Sequence, residues 1–470
     1  MNKSSEIKQN YTATRNACKL CAPLGASVVF KGIEGCVPMI HGSQGCATYI
    51  RRYMISHYKE PVDIASSNFS EETTVYGGAK NFIDGIDNVI RQYHPKVMGI
   101  ASTCLAETIG EDVPALIREY QKAHEGEDLP YFAFASTPSY QGSHMDGFHE
   151  TVLSVVKVLA ETGKVGNHVN LFSGFISPAD IRYLKDIFAD FGLEGVIVPD
   201  YSDSLDNPYW KDYKLLPEGG TPLTDIKRSG SAMASIEFGS VFNRGSLYGK
   251  VKNPKKLHTA GTWLEETMSV PNTRITLPIG IGATDRFFEL LSTYSGNPVP
   301  EKHAREKGRL IDAYVDGHKY VFGKRAIVFG EEDFVLGLVS FLLEIGIMPV
   351  LVASGGESGL LKEEVTRIIE ESGTTLDVNP IIVNGMDFET INDMVEELKP
   401  DIMIGSSKGY YISRRLDIPL IRVGFPIHDR FGAQRLLHIG YKGTQELFDR
   451  IANALIEYKQ EKSKVGYKYI

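Results

Sequence analysis

Cysteine thiols are the side chains in this sequence best suited to metal chemistry. The chain has five, all within its first 104 residues: Cys18, Cys21, Cys36, Cys46 and Cys104. An odd number confined to one end of a chain of 470 residues makes a poor disulfide framework. Clustered thiols in a reducing compartment are instead typical of a metal site, because thiolates bind soft metal ions well. The first hypothesis is therefore a metal centre held by thiolates.

Three of the cysteines lie in or beside loop signals. Cys21 precedes Ala-Pro-Leu-Gly, Cys46 follows Gly-Ser-Gln-Gly, and Cys104 follows Ser-Thr. Glycine in such a loop lets the backbone approach a bulky inorganic cluster, and loop amides can donate hydrogen bonds to its sulfides. The three are too far apart along the chain for a compact zinc knuckle, whose paired ligands lie about two to four residues apart. We therefore expect folding to bring the three loops together.

Other interpretations of these residues stay open when the sequence is taken residue by residue. Cys18 and Cys21 have the C-x-x-C spacing of zinc or redox sites, but no second pair complements them. The cysteines could also be buried structural residues, since free cysteine is among the most often buried residue types. Ser139, taken alone, is an ordinary turn residue.

A strand followed by a helix recurs along the chain and must position these loops. The first clear unit is a strand over Val97–Ala101, then the loop with Cys104, then a helix that begins near Asp112 and Pro114. Cys104 therefore follows the carboxyl end of a strand, where open α/β sheets place their ligands.

The same unit restarts twice. A strand over Val169–Phe172 leads to a helix capped by Ser177, with Pro178 at its first position and a further strand over Val196–Val198. The third group of predicted strands covers Arg325–Phe329, Pro349–Ala353, Ile402–Ile404 and Leu420–Val423.

These units predict the fold class and its division. We predict an α/β protein of three Rossmann-like, doubly wound domains with parallel sheets. The predicted domains cover residues 1–165, 166–310 and 311–470, and the third ends in a C-terminal helix. The segment from about Asp285 to Gly323 is predicted to be a helical connection between the second and third units.

Charge and hydropathy exclude several classes of partner. The formal charge of −9 arises from 50 basic and 59 acidic residues, without the dense basic runs that nucleic acids or anionic membranes attract. The longest apolar stretch, Phe334–Leu343, is far shorter than the roughly 20 residues that span a bilayer. Met1–Asn10 lacks the apolar core of a secretory signal. We expect a cytoplasmic protein that binds neither nucleic acid nor membrane.

Long motifs occur together in this sequence. In the cysteine-containing part they are residues 23–26 (PLGA), 41–46 (HGSQGC), 71–78 (EETTVYGG), 103–112 (TCLAETIGED) and 137–144 (TPSYQGSH). Later ones are 176–180 (ISPAD), 199–206 (PDYSDSLD), 218–221 (EGGT) and 423–430 (VGFPIHDR). Together they resemble the β-type subunit of the nitrogenase component 1 family, and the resemblance covers nearly the whole chain.

The resemblance implies a metal centre at a subunit interface. Cys21, Cys46 and Cys104 match the three cysteines that bind the β-side half of the P-cluster, an eight-iron, seven-sulfur centre shared with an α-type partner. Ser139 matches the serine that adds a ligand to the oxidised cluster. A thiolate is a soft ligand suited to such clusters, whereas a serine alkoxide is hard and favours more oxidised iron.

The same resemblance implies partners and an activity. It predicts an α2β2 heterotetramer and a separate ATP-dependent iron protein that docks transiently and passes electrons into the interfacial cluster. The catalytic cofactor is expected on the α-type partner, and no cysteine follows Cys104 in this chain. The chain is then an electron-relaying oxidoreductase subunit that is inactive alone.

Two functions within the family stay open. All three cysteines and Ser139 are present, which favours an enzyme with a full eight-iron cluster. The alternative is a β-like scaffold subunit on which the iron–molybdenum cofactor is matured, with a four-iron cluster. The short N-terminus and the tail over residues 462–470 are unusual for a typical molybdenum-enzyme β subunit and favour this alternative.

Overall fold

Three parallel β-sheets follow one another along the part of the chain that the structure describes. This computed structural model describes residues 16–212, 214–241, 258–374 and 377–464. Every strand pairing within these ranges is parallel, apart from isolated bridges. The α/β class with three parallel-sheet units is confirmed. The N-terminal segment Met1–Asn10 and tail residues 465–470, on which two expectations rest, lie outside the described residues.

The first sheet carries the cysteine loops and has the strand order β2-β1-β3-β4. Its elements, here called the first lobe, are α1 (Ala22–Lys31), β1 (Cys36–His41), α2 (Gln44–Tyr58), β2 (Ala65–Ser66), α3 (Glu71–Tyr76), α4 (Ala79–Tyr93), β3 (Val97–Ser102), α5 (Cys104–Thr108), α6 (Val113–Ala123), β4 (Tyr131–Ala135) and α7 (His144–Leu159).

Helices cover both faces of this first sheet, because successive side chains of a strand point to opposite faces. Along β3, Met98 and Ile100 join an apolar cluster with α4 and α6, whereas Val97 and Ala101 join the main core with α1 and α7. The sheet is therefore doubly wound, and the carboxyl ends of its strands stay free to carry the functional loops.

The second sheet has the strand order β6-β5-β7-β8. The elements of this second lobe are β5 (His168–Phe172), α8 (Pro178–Asp190), β6 (Glu194–Ile197), α9 (Leu223–Arg228), β7 (Ala234–Phe238), α10 (Ala260–Met268), β8 (Asn272–Ile275), α11 (Ile281–Ser295) and α12 (Glu301–Val321). The predicted cap of α8 is confirmed: Ser177 Oγ accepts from the N–H of Asp180, and Pro178 is the first helical residue.

The third sheet has the strand order β11-β10-β9-β12-β13. The elements of this third lobe are β9 (Arg325–Gly330), α13 (Glu332–Glu344), β10 (Met348–Ser354), α14 (Leu361–Ser372), β11 (Ile381–Val383), α15 (Phe388–Leu398), β12 (Ile402–Gly405), α16 (Tyr410–Leu416), β13 (Leu420–Arg422) and α17 (Gly440–Lys462). All four strands predicted for this part of the chain are present.

The helical connection predicted over Asp285–Gly323 is also present, as most of α11 and all of α12. The C-terminal helix α17 packs back against α12 and α11. The boundary placed between residues 310 and 311 falls inside α12, and the division into domains stays a prediction. No helix in the described ranges is long and apolar enough to cross a membrane.

Candidate functional site

The three predicted ligand cysteines each lie at the beginning of a helix. Cys21 is the N-cap residue of α1, Cys46 is the third residue of α2, and Cys104 is the first residue of α5. The first turns of α1 and α2 present N–H groups without helical partners, and the helix dipole there favours negative charge. These positions suit thiols that function as thiolates.

The loops that carry Cys46 and Cys104 are held together by the pairing of β1 with β3. His41 and Ser102 are register partners at the ends of these strands. Thr103 donates to the carbonyl of His41 from both its backbone N–H, over 3.2 Å, and its hydroxyl, over 3.1 Å. A Cβ at Gly42 would lie 2.2 Å from Thr103 Oγ1, so glycine is what permits this close approach.

Cys21, the remaining cysteine of the three, is positioned by the close packing of α1 on α7. A Cβ at Gly25 would lie 1.7 Å from the carbonyl oxygen of His144, and a Cβ at Gly147 would lie 2.0 Å from that of Ala22. Two hydrogen bonds extend this contact: the N–H of Leu20 donates to His144 Nδ1 over 3.2 Å, and the N–H of His144 donates to the Leu20 carbonyl over 3.0 Å. Cys21 is therefore fixed between α1 and α7.

Ser139 lies between two of the cysteine loops. Its backbone N–H donates a hydrogen bond to Cys104 Sγ over 3.2 Å, and its Oγ accepts one from the N–H of Ala22 over 3.1 Å. Its loop is anchored to β3, because Thr137 donates from its N–H to Ser102 Oγ over 3.0 Å and from its hydroxyl to the Ser102 carbonyl over 2.6 Å. A residue that looks like an ordinary turn serine in sequence thus contacts both neighbouring loops.

The thiols act on one another electrostatically. Burial raises the pKa of the Cys21 thiol and the neighbouring Cys104 raises it further, while hydrogen bonds with Ser139 and Tyr49 and the charge of Lys408 oppose the increase. Burial also raises the pKa of Cys46, and Cys21 and Cys104 add to that effect. Three thiolates in this space repel one another, so cations between them are needed to stabilise the fully deprotonated set.

Exposure separates these three cysteines from the other two. Cys21, Cys46 and Cys104 are partly exposed, whereas Cys18 and Cys36 are buried. Burial raises the pKa of Cys18 to about 12, and the Cys18 N–H donates to the carbonyl of Met386 in the third lobe over 3.0 Å. The buried structural interpretation therefore describes Cys18 and Cys36, and a C-x-x-C site with Cys18 is not supported.

A site for one small ion is not formed in the part of the chain that the structure describes. No group of three or more His, Cys, Asp or Glu side chains within the described ranges is arranged to hold a single metal ion. The proposed donor set of three soft thiols and the Ser139 hydroxyl suits a multi-iron cluster better than one hard ion.

Sequence analysis did not assign Tyr49 or Lys408 to the site, although both lie beside it. The Tyr49 hydroxyl forms a hydrogen bond with the Cys21 thiol, and the Tyr49 ring lies 4.8 Å from the Tyr53 ring. The only sequence signal for this position is that Tyr49 follows Cys46 by about one helical turn. Lys408 donates from Nζ to the carbonyl of Ala17 over 2.7 Å. Nothing in the local sequence around Lys408 connects it with a site near the N-terminus.

Comparison with known proteins identifies the family. The family model described as nitrogenase component 1 type oxidoreductase matches residues 21–456. The nitrogenase molybdenum-iron protein β chain of Clostridium pasteurianum is 33% identical over 453 residues, which cover 96% of this chain and 95% of the relative. The β chain of the same name from Azotobacter vinelandii is 32% identical over 470 residues, covering 97% and 87%.

Solved structures agree with this result. A chain of the structure described as nitrogenase Cp1 at pH 6.5 superimposes with a TM-score of 0.91 at 31% identity, covering 99% of this chain and 98% of the other. A chain of nitrogenase Cp1 at pH 5 shares the fold alone, with a TM-score of 0.67 at 13% identity. The site, the full-length matches and the shared architecture lead to one conclusion: this chain belongs to the nitrogenase component 1 type oxidoreductases and is a β-type chain of that family.

Proposed function

We propose that this chain holds half of an interfacial iron–sulfur cluster of the P-cluster type through Cys21, Cys46 and Cys104, with Ser139 as a further ligand when the cluster is oxidised. The observation that carries the proposal is the convergence of the three partly exposed thiols with Ser139, which donates to Cys104 Sγ from its N–H. The buried pair Cys18 and Cys36 lies outside this set.

Helix beginnings and backbone N–H groups of this chain would stabilise the thiolates that hold the cluster. The helix beginnings at Cys21 and Cys46 stabilise thiolates, and the Ser139 N–H adds a hydrogen bond that stabilises charge on Cys104. The Ala22 N–H keeps the Ser139 oxygen beside Cys21. When bound, the cluster supplies reversible one-electron chemistry, whose potential depends on these hydrogen bonds and on solvent exposure.

An α-type partner completes the proposed site. The thiols are only partly buried in this chain, and Tyr140, which follows Ser139, has 58% of its surface exposed beside them. A partner that covers this side and contributes its own thiolates would exclude water from the cluster. The assembly is then an α2β2 heterotetramer that receives electrons from an ATP-dependent iron protein and relays them to a cofactor on the α-type subunit. We place it in the cytoplasm.

The test is anaerobic co-purification with the α-type subunit, followed by iron, molybdenum and vanadium analysis and electron paramagnetic resonance of reduced and oxidised samples. The proposal expects one eight-iron cluster per αβ pair, a separate cofactor and turnover with the iron protein. Four-iron clusters together with a transferable cofactor precursor would instead identify the assembly scaffold. Absence of iron in the anaerobic complex would contradict both functions.

A matched pair of variants connects the iron to these residues. Cys46→Ala removes a partly exposed thiol of the proposed set, whereas Cys36→Ala removes a buried thiol on the adjacent strand β1. We expect Cys46→Ala to lower the iron bound per αβ pair and Cys36→Ala to leave it unchanged. Equal iron in the two variants would remove Cys46 from the ligand set.

A further inference from the structure

Lys408 brings a positive charge from the third lobe to the segment that leads into Cys21. It lies in the short 3-10 turn Ser407–Gly409 after β12, and its ammonium donates to the Ala17 carbonyl over 2.7 Å. Ala17 also forms an antiparallel bridge with Asp387 beside this sheet. The carboxyl edge of the third sheet thus carries the chain segment that precedes the first cysteine of the site.

Charged and titratable groups of the site and of the third lobe act on Lys408. Its hydrogen-bond acceptor is a neutral carbonyl, which leaves the positive charge uncancelled at that contact. Burial lowers the pKa of Lys408, while Coulombic interactions with the deprotonated forms of Cys18, Glu331 and Cys21 act in the opposite direction. Glu331, the N-cap residue of α13, is 8% exposed and its carboxylate contacts His144 Nε2. Two opposite charges of the third lobe therefore act on each other. Lys408 also acts on the Cys21 thiol, and Glu331 contacts His144, whose Nδ1 accepts from the N–H of Leu20 next to Cys21.

We infer that Lys408 is a positioning residue for electron transfer, whose partly buried positive charge raises the reduction potential of the cluster held by Cys21, and that Glu331 lowers it. Reduction adds negative charge to the cluster, so a nearby cation stabilises the reduced state and a nearby anion destabilises it. Bulk salt screens partly buried charges weakly, so the effect persists at physiological ionic strength. The inference rests on the proposed function, because it assumes the cluster.

A purely structural role would give different results in a set of four variants. Lys408→Gln keeps an N–H donor that can face the Ala17 carbonyl but has no charge, Lys408→Met has neither, and Lys408→Arg keeps both. If Lys408 only anchored the N-terminal segment, the Gln variant would behave like the wild type. If its charge is what acts, Gln and Met shift the potential together and Arg restores it. Glu331→Gln tests the opposite sign.

The experiment is a redox titration of the anaerobically purified α2β2 complex, followed by electron paramagnetic resonance, with iron content measured for every variant. We expect the midpoint potential to fall in Lys408→Met and Lys408→Gln, to stay near the wild-type value in Lys408→Arg, and to rise in Glu331→Gln. A wild-type midpoint in Lys408→Met with full iron would overturn the inference. If the Lys408 variants fail to load iron, an unchanged or lowered midpoint in Glu331→Gln overturns it. Lack of iron in the wild-type complex contradicts the proposed function instead.

Discussion

Ser139 and Cys104 are joined by a hydrogen bond from the backbone N–H of the serine to the sulfur of the cysteine, over 3.2 Å. Because the donor is the backbone, this contact does not need the serine side chain. The side-chain oxygen makes a separate contact with the N–H of Ala22 at the beginning of α1. The two functions of Ser139 can therefore be separated by substitution.

Substitution of Ser139 should change the oxidised protein more than the reduced one. Ser139→Ala keeps the hydrogen bond to Cys104 but removes the acceptor for Ala22, which we expect to lower the free energy of unfolding by about 1 kcal/mol. It also removes the proposed oxygen ligand, so the spectrum of the most oxidised state should change while iron content is retained. Ser139→Thr keeps the hydroxyl and is the control. Identical oxidised spectra of the Ala variant and the wild type would remove Ser139 from the ligand set.

Substitution of Gly25 should separate α1 from α7. The new Cβ in Gly25→Ala would lie 1.7 Å from the His144 carbonyl oxygen, which is backbone that cannot move without shifting a helix. We expect a loss of about 3 kcal/mol or more in the free energy of unfolding, measured by chemical denaturation. Gly308→Ala is the matched control, because no atom within 4 Å meets its Cβ in the exposed part of α12. That variant should be more stable by up to about 1 kcal/mol.

Acidification should destabilise the protein through His57. Burial lowers the pKa of His57 from 6.5 to about 3, and its Nδ1 accepts a hydrogen bond from the N–H of Ile427 over 2.9 Å. Below pH 6.5 the unfolded chain therefore binds a proton at His57 that the folded chain does not bind. The contribution of neutral His57 to the free energy of unfolding is therefore complete above pH 6.5 and is lost progressively as the pH falls towards 3. The expected loss is roughly 2 kcal/mol by pH 5.

The measurement compares the free energy of unfolding between pH 7 and pH 5 in the wild type and in His57→Asn. The asparagine oxygen can accept the Ile427 N–H in place of Nδ1 but does not titrate in this range. Burial lowers the pKa of His149 to about 3 as well, so both proteins should lose stability and only the difference between the two slopes belongs to His57. Parallel curves would show that His57 does not contribute.

Asp180 should be essential for the contact between the second lobe and the C-terminal segment. Its carboxylate is fully buried and accepts hydrogen bonds from the N–H and Nδ1 of His438, over 2.7 and 2.9 Å, and from the N–H of Ile439, over 3.2 Å. Asp180→Asn replaces part of this acceptor by a donor facing N–H groups, and we expect about 3 kcal/mol of destabilisation. Asp186→Asn, on the exposed face of the same helix, should change the free energy of unfolding by less than about 0.5 kcal/mol. Similar melting of the two variants would contradict the role given to Asp180.

The parts of the fold that could be predicted are those with a local signal. The strand predicted over Val97–Ala101 extends over Val97–Ser102, and the one over Arg325–Phe329 extends over Arg325–Gly330, because both are short runs of apolar residues buried on both faces. Strand β7 has no such signal, since Ser235 and Glu237 are polar. Glu237 is nevertheless buried, because it accepts hydrogen bonds from groups that are distant in sequence: Thr259 Oγ1, the N–H of Gly261 and Asn272 Nδ2.

The site also contains contacts that the local sequence predicts and contacts that it does not. The motifs around Cys46 and Cys104 contain the glycine and threonine that pack against each other, so their convergence follows from two neighbouring parallel strands. Lys408 reaches Ala17 across almost the whole chain, and no periodicity or spacing connects positions so far apart. Contacts of this kind depend on how the lobes pack and not on local sequence.

The bridge between Ala17 and Asp387 and the hydrogen bond from Cys18 to Met386 have a consequence for biosynthesis. Translation proceeds from the N-terminus, so the ribosome produces all three proposed ligand cysteines long before it reaches the residues that hold the segment preceding Cys21. A nascent chain that ends after the first lobe has every thiol of the site and lacks this support. On the proposed function, the finished geometry around Cys21 is therefore available to a cluster only after the third lobe has been synthesised and has folded.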